Sequence, residues 1–167
     1  QRGAIFQSSS DSEVIIHLIA HSLQKDFPSV LHEIGTIIKG AFSLVFIKDD
    51  KVYAMKDPNG FRPLSVGKLS NGGYVVSSES CAFDIIDAEY QFSVNPGEIV
   101  WFDEEGVHRE RYARSNRHSL CIFEYVYYAR PDSIIFDHNV YSIRKSLGMQ
   151  LAKESPVEAD IVVPIPD

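Results

Sequence analysis

The chain has 167 residues, 44% of them hydrophobic, and a formal net charge of −7. That is enough apolar matter for one well-filled core, and two complete domains are not expected at this length. The negative charge is spread along the sequence, which disfavours a nucleic-acid or anionic-membrane partner; no stretch of about 18 apolar residues is present to span a bilayer, and two free cysteines fit a reducing, cytoplasmic setting.

Taken in chain order, Ser10-Asp11-Ser12-Glu13 is a capping-box signature, with Ser10 as N-cap and Glu13 at N3. It predicts a helix over Val14–Leu23. Pro28 opens a second helix whose apolar face carries Val30, Leu31, Ile34, Ile37 and Ile38, and Gly40 ends it. From there to Arg114 the pattern is β. Strands are expected at Ala41–Ile47, Val52–Lys56, Leu64–Leu69, Tyr74–Ser78, Glu89–Val94, Glu98–Phe102 and Val107–Tyr112. Asp49-Asp50, Asp57-Pro58-Asn59-Gly60, Ser70–Gly73, Asn95-Pro96-Gly97 and Asp103–Gly106 supply the turns, and Cys81–Asp87 reads as a short helix. Two helices followed by hairpin-linked strands predict helices layered on antiparallel sheet.

Around Ser115–His118 the chain turns polar, a candidate boundary. The run Cys121-Ile122-Phe123-Glu124-Tyr125-Val126-Tyr127-Tyr128-Ala129-Arg130-Pro131-Asp132-Ser133 then reads as a strand buried on both faces and ended by Pro131. A helix is expected from about Asn139 to Lys153, with Val140, Ile143, Leu147 and Leu151 on one face and Pro156 beyond its end. Ile161–Ile165 reads as a parallel-sheet strand, so the second half opens an α/β unit. A chain that starts at Gln1 and stops beside such a strand is expected to be a piece of a longer protein.

Four segments in this order, Phe6–Val14, Asp57–Leu64, Ser78–Asp84 and Cys121–Ser133, resemble the amidophosphoribosyltransferases, the glutamine phosphoribosylpyrophosphate amidotransferases of purine synthesis. The first three also look like weaker versions of segments in glucosamine-6-phosphate synthase; the fourth does not. The tail Ala159–Asp167 looks like the first strand of the family's phosphoribosyltransferase domain. The resemblance implies an α+β fold: the distal half of an N-terminal-nucleophile hydrolase α/β/β/α sandwich over residues 1–118, then an interdomain strand and the start of a phosphoribosyltransferase domain over 119–167. It implies a parent that makes phosphoribosylamine from glutamine and phosphoribosylpyrophosphate, uses Mg2+, forms homo-oligomers and binds neither nucleic acid nor membrane. The family's N-terminal nucleophilic cysteine, the Asn-Gly segment of its oxyanion hole, the arginine for the glutamine carboxylate and the acidic phosphoribosylpyrophosphate loop are not found, so no catalytic residue is expected in this chain and the piece alone should be inert. The alternatives are a glutaminase of the glucosamine-6-phosphate synthase type and a non-catalytic module complementing another chain.

Among single residues, Asp11 reads first as a helix-start acid interacting with the helix dipole. The resemblance makes it the acceptor for the glutamine α-ammonium, a task suited to a charge-assisted hydrogen bond. Cys121 reads as a buried thiol. In some family members a cysteine of this region holds a [4Fe–4S] cluster, so Cys121 is the candidate cluster ligand, although one thiol cannot hold a cluster in this chain. Cys81 lacks a nearby base and reads as packing rather than a replacement nucleophile. His17 and His21 have only the spacing of half a zinc motif. Arg62 is expected to fix a turn, and Arg130, Asp132 and Ser133 to orient an interdomain joint.

Overall fold

A computed structural model describes residues 5–115 and 117–163. Helix α1 (Ser12–His21) carries Asp11 at its N-cap position without a side-chain cap bond. The capping box does not close as expected. The Glu13 carboxylate instead accepts the backbone N–H groups of Gln7 (2.7 Å) and Ser8 (2.8 Å) and the Ser8 hydroxyl (2.6 Å). The preceding chain folds back over the helix start, so those donors reach Glu13. Helix α2 (Phe27–Ile37) is capped by Asp26, which accepts the Ser29 N–H at 2.9 Å. Pro28 occupies the first turn, where a missing N–H costs nothing. The helix stops at Ile37, ahead of Gly40, whose φ of +125° belongs to the connection.

The strands are β1 (Ser43–Lys48), β2 (Lys51–Lys56), β3 (Ser65–Leu69), β4 (Tyr74–Ser77), β5 (Ala88–Ser93), β6 (Glu98–Asp103) and β7 (Gly106–Arg111). They form a four-stranded sheet in the order β1-β2-β6-β7 and a three-stranded sheet in the order β4-β3-β5, with antiparallel pairing throughout. Asp49 and Asp50 both take positive φ (50° and 59°) in the β1–β2 turn, which suits a two-residue hairpin with residues that tolerate that region.

Alternation along the strands divides the interior into two cores. Tyr53, Met55 and Ile99 face α2, where they meet Phe27, Leu31 and Ile34. The intervening Ala54, Val100 and Phe102 face the second sheet and pack on Leu64, Val66 and Val94. On the far side of that sheet, Phe83 of the short helix α3 (Cys81–Ile85) lies against Gly67, where an added Cβ would come 2.9 Å from its ring. The layers therefore run helix, sheet, sheet, helix, as expected.

Two expectations about the second half fail. Cys121–Ser133 is no strand: Glu124–Tyr128 form a five-residue π-helix, with Glu124 and Tyr125 buried and Phe123, Val126, Tyr127 and Tyr128 each more than half exposed. An aromatic run mimics a doubly buried strand by composition, but backbone bonds from Ala129 N–H to Glu124 C=O and from Val126 N–H to Ile122 C=O close a helical turn instead. The second failure is the expected strand at Ile161–Ile165. Residues 161–163 carry no strand and are exposed, and Pro164 and Ile165 lie outside the described residues. A short ribbon of β8 (Ile134–Ile135) and β9 (His138–Asn139), which periodicity did not suggest, leads into α4 (Val140–Glu154), capped by Asn139 on the Ser142 N–H at 3.0 Å. A third small core of Tyr125, Ala129, Ile135 and Val140 ties the π-helix, ribbon and α4 together.

Candidate functional site

Three of the four motif segments converge on one joint. In the first, the wholly buried Asp57 carboxylate accepts the N–H groups of Asn59 (2.9 Å), Gly60 (2.8 Å) and Phe61 (3.1 Å), holding the Asn59–Arg62 loop in one shape. That loop then receives the third segment edge-on. Ser119 donates its N–H to the Asn59 carbonyl (2.9 Å), and Cys121 to that of Phe61 (3.1 Å). Arg62 reaches from the same loop to the π-helix. Its Nη1 lies 3.1 Å from Glu124 Oε1 and 3.8 Å from Cys121 Sγ, and its guanidinium sits 4.8 Å from the Tyr128 ring centre.

The second segment closes the joint from the other side. Glu79 Oε2 accepts the Arg130 N–H (2.9 Å) and the Ser133 hydroxyl (2.8 Å), while the Ser80 hydroxyl accepts the Ile134 N–H (2.7 Å). Arg130 and Asp132 form a two-point ion pair beside it, at 3.1 and 2.7 Å. That pair lowers the Asp132 carboxyl and raises the Arg130 guanidinium relative to their ordinary values. Arg62 thus does more than fix its own turn, and Arg130, Asp132 and Ser133 lie at the joint.

Between these clamps is a cleft of about 320 Å³ bounded by Ser43, Arg62, Ser78, Glu79, Glu124 and Tyr128. Glu124 is its unusual member, a carboxylate only 3% exposed. Burial pushes its carboxyl up, Arg62 pulls it down, and Glu79 adds to the rise; the net direction is upward. Although Arg62 stands at ion-pair distance from Oε1, it approaches off the hydrogen-bonding direction, leaving that oxygen without a hydrogen bond. Sequence reading passed over Glu79 and Glu124; the available signal was a lone acid inside an otherwise apolar aromatic run.

Asp11 lies elsewhere. It is exposed at the head of α1, on a second cleft of about 610 Å³ whose other wall is the Ile37–Leu44 connection. Ala41, Phe42 and Ser43 border both clefts, so a single strand entry separates Asp11 from the joint. A carboxylate on an open cleft can take a ligand ammonium, whereas the two-sided burial of Glu124 suits an internal contact.

The remaining expected candidates are accounted for by local contacts. Cys121 is half-buried beside Arg62. Cys81 is buried and its thiol donates to Glu79 Oε2 at 3.6 Å, so nothing marks it as a nucleophile. His17 stands 3.5 Å from Glu13 and packs edge-on against Phe6. Among the described residues the grouping able to hold a metal is Asp103, Glu105 and His108 at the β6–β7 turn. There Asp103 is already taken by His108 (2.7 Å), the Glu105 N–H (3.0 Å) and Lys51 (3.0 Å), so the trio reads as a neutralised hairpin end.

Comparison with known proteins agrees with this geometry. Residues 1–84 match the family model described as a glutamine amidotransferase domain. Over its whole length the chain is 43% identical to the amidophosphoribosyltransferase of Staphylococcus epidermidis, of which it covers 34%. It is 44% identical over 165 residues to the chloroplastic amidophosphoribosyltransferase of Glycine max, covering 29% of that protein. The solved structure of glutamine phosphoribosylpyrophosphate amidotransferase from B. subtilis, complexed with ADP and GMP, superposes with a TM-score of 0.90 at 43% identity, over 95% of this chain and 35% of the other. The chain thus spans about a third of the length of the curated relatives it matches. The likeness continues through residues 119–167, which disfavours the glucosamine-6-phosphate synthase alternative.

Proposed function

The chain belongs to the glutamine amidotransferase family, and on that premise we propose that it is the part of an amidophosphoribosyltransferase where glutamine hydrolysis meets phosphoribosyl transfer. The whole enzyme takes the amide nitrogen of glutamine and places it on phosphoribosylpyrophosphate, giving phosphoribosylamine, glutamate and pyrophosphate. The observation that carries this reading is the convergence of Asp57–Leu64, Ser78–Asp84 and Cys121–Ser133 on one joint, in a chain related end to end to amidophosphoribosyltransferases. In this reading residues 1–118 are the distal part of the glutaminase domain and residues 119–167 lead into the phosphoribosyltransferase domain.

Asp11 is the glutamine contact. Its carboxylate opens onto the larger cleft, where an ammonium can form a charge-assisted hydrogen bond worth about 1.5–3 kcal/mol. The nucleophile and the oxyanion donors come from other parts of the whole protein, as does the acidic loop that binds phosphoribosylpyrophosphate with Mg2+. Cys121 fits a [4Fe–4S] cluster as one ligand: it is a free, half-buried cysteine, and such clusters are held by cysteine sulfur. Cys81 is turned to Glu79, so this chain supplies one cluster ligand at most. The whole protein acts as a homo-oligomer in the cytoplasm.

The test is made on the whole protein. Purified enzyme given glutamine and phosphoribosylpyrophosphate should release glutamate and pyrophosphate in equal amounts, and should accept ammonia in place of glutamine. Glutamate release with no consumption of phosphoribosylpyrophosphate would overturn the reading. Iron and acid-labile sulfide analysis of the same preparation decides the cluster.

A further inference from the structure

Arg62 occupies a position that turn formation does not require, because Asp57 already organises the loop through three backbone N–H groups. Its side chain leaves the loop to contact Glu124, Tyr128 and Cys121. Its carbonyl receives the Ser43 hydroxyl at 3.4 Å, and Ser43 borders the Asp11 cleft. One residue therefore touches the π-helix with its guanidinium and the wall of the ligand cleft with its backbone. The pairing with Glu124 is a poor device for stability. A buried carboxylate loses its hydration, and an apolar pair of similar volume stabilises as well or better. Here the raised Glu124 carboxyl indicates that burial outweighs the attraction of Arg62. The arginine side chain is 45% exposed, so it can return to water at little cost when the contact opens. The partner element is a π-helix, a form rare in proteins and concentrated at functional sites.

We propose that Arg62 is a positioning residue that keeps the Asp11 cleft and the Glu124–Tyr128 π-helix in register, so that hydrolysis at the cleft is matched to transfer in the domain that the π-helix leads into. This rests on the amidotransferase reading above. A displacement of the π-helix pulls Glu124 and Tyr128 from the guanidinium, and the loop end at Arg62 carries the Ser43 wall with it. A ligand on the transferase side thereby alters the glutamine cleft without touching it, which meets the requirement that coupling pass through an element both sites bias.

The experiment uses the whole enzyme with Arg62→Met, which keeps the aliphatic stem, and Glu124→Gln. For each, glutamate released per phosphoribosylamine formed is measured alongside the rate with ammonia as donor. The expected result is a ratio raised from about one to about five or more, with ammonia-dependent turnover within about twofold of wild type, corresponding to the low end of typical coupling energies. A ratio that stays near one while both nitrogen donors lose activity in proportion overturns the proposal and makes the pair structural. Should Arg62→Met fail to fold, Arg62→Lys reads the same ratio, since lysine keeps the charge but not the planar fork or its stacking on Tyr128. Wild-type enzyme that releases glutamate with no phosphoribosylpyrophosphate consumed would refute the amidotransferase reading instead, so the two failures are distinguishable.

Discussion

At the residue scale, two glutamates near helix starts take opposite electrostatic roles. Glu13 is drawn from its ordinary value of 4.5 to about 2, first by the Ser8 hydroxyl and then by the Gln7 N–H. It therefore stabilises the native chain above the ordinary value, and that contribution fades as pH falls from 4.5 toward about 2. Glu13→Gln should flatten the acid limb of stability there, measured as urea midpoint against pH. Glu124 has the reverse sign: its raised carboxyl holds its proton more tightly in the native chain, so its contribution is fullest below the ordinary value and falls as pH rises through the raised one. Asp11, exposed on its cleft, is the substrate contact of the proposed function. In the whole enzyme, Asp11→Ala should raise the KM for glutamine by about tenfold or more, the loss of one charge-assisted hydrogen bond, while ammonia-dependent turnover is spared. Equal loss with both donors would remove Asp11 from that role. The helix-start signal at Ser10–Glu13 was legible in sequence, yet the partners of Glu13 were not, because they depend on how the chain before the helix folds back.

At the element scale, turns that looked equivalent in sequence differ in what surrounds them. Gly97 has a φ of +70°, and a Cβ there would stand 2.3 Å from the Ala113 carbonyl oxygen, a backbone atom. Gly97→Ala should cost on the order of 2 kcal/mol or more, combining left-handed strain with a clash that side-chain rotation cannot relieve. Gly72, with a φ of +91° and open space around it, should cost about 1–2 kcal/mol on the same change, from the strain alone and less than Gly97. Paired urea melts compare the two. The Asp57 loop is a further case. Asp57→Ala strands the Asn59 and Phe61 N–H groups in a partly buried turn and leaves Gly60 N–H only the Asp57 carbonyl, and should cost on the order of 3 kcal/mol. The hairpins were readable because alternation and turn residues are local signals. The π-helix was not, because its aromatic residues are common to strands and helices, and the choice is made by packing of Tyr125 and Ala129 on Ile135 and Val140.

At the scale of the molecule, the sandwich and the segment beyond residue 118 meet through few contacts of high polarity. Glu79 supplies the acceptor for both Arg130 N–H and the Ser133 hydroxyl. Glu79→Ala should therefore speed amide hydrogen exchange across Ala129–Ile135 while strands β2 and β6, packed on both faces, keep their protection. A uniform rise in exchange would instead make the joint inseparable from the sandwich core. The sequence by itself determined the strand count of the sandwich, its helix layers and the family resemblance, because period, turn chemistry and motif order are written in neighbouring residues. It also marked Asp11, Arg62 and the Arg130–Ser133 turn as residues of interest. Only the tertiary structure decided that Asp57, Glu79, Arg62 and Glu124 make one joint. Asp57 works on its own loop, but the partners of Glu79 and Arg62 lie far along the chain, at separations of 51 for Glu79 with Arg130 and 59 for Arg62 with Cys121. A buried charge shows its meaning only when the group that compensates it, or fails to, is seen beside it.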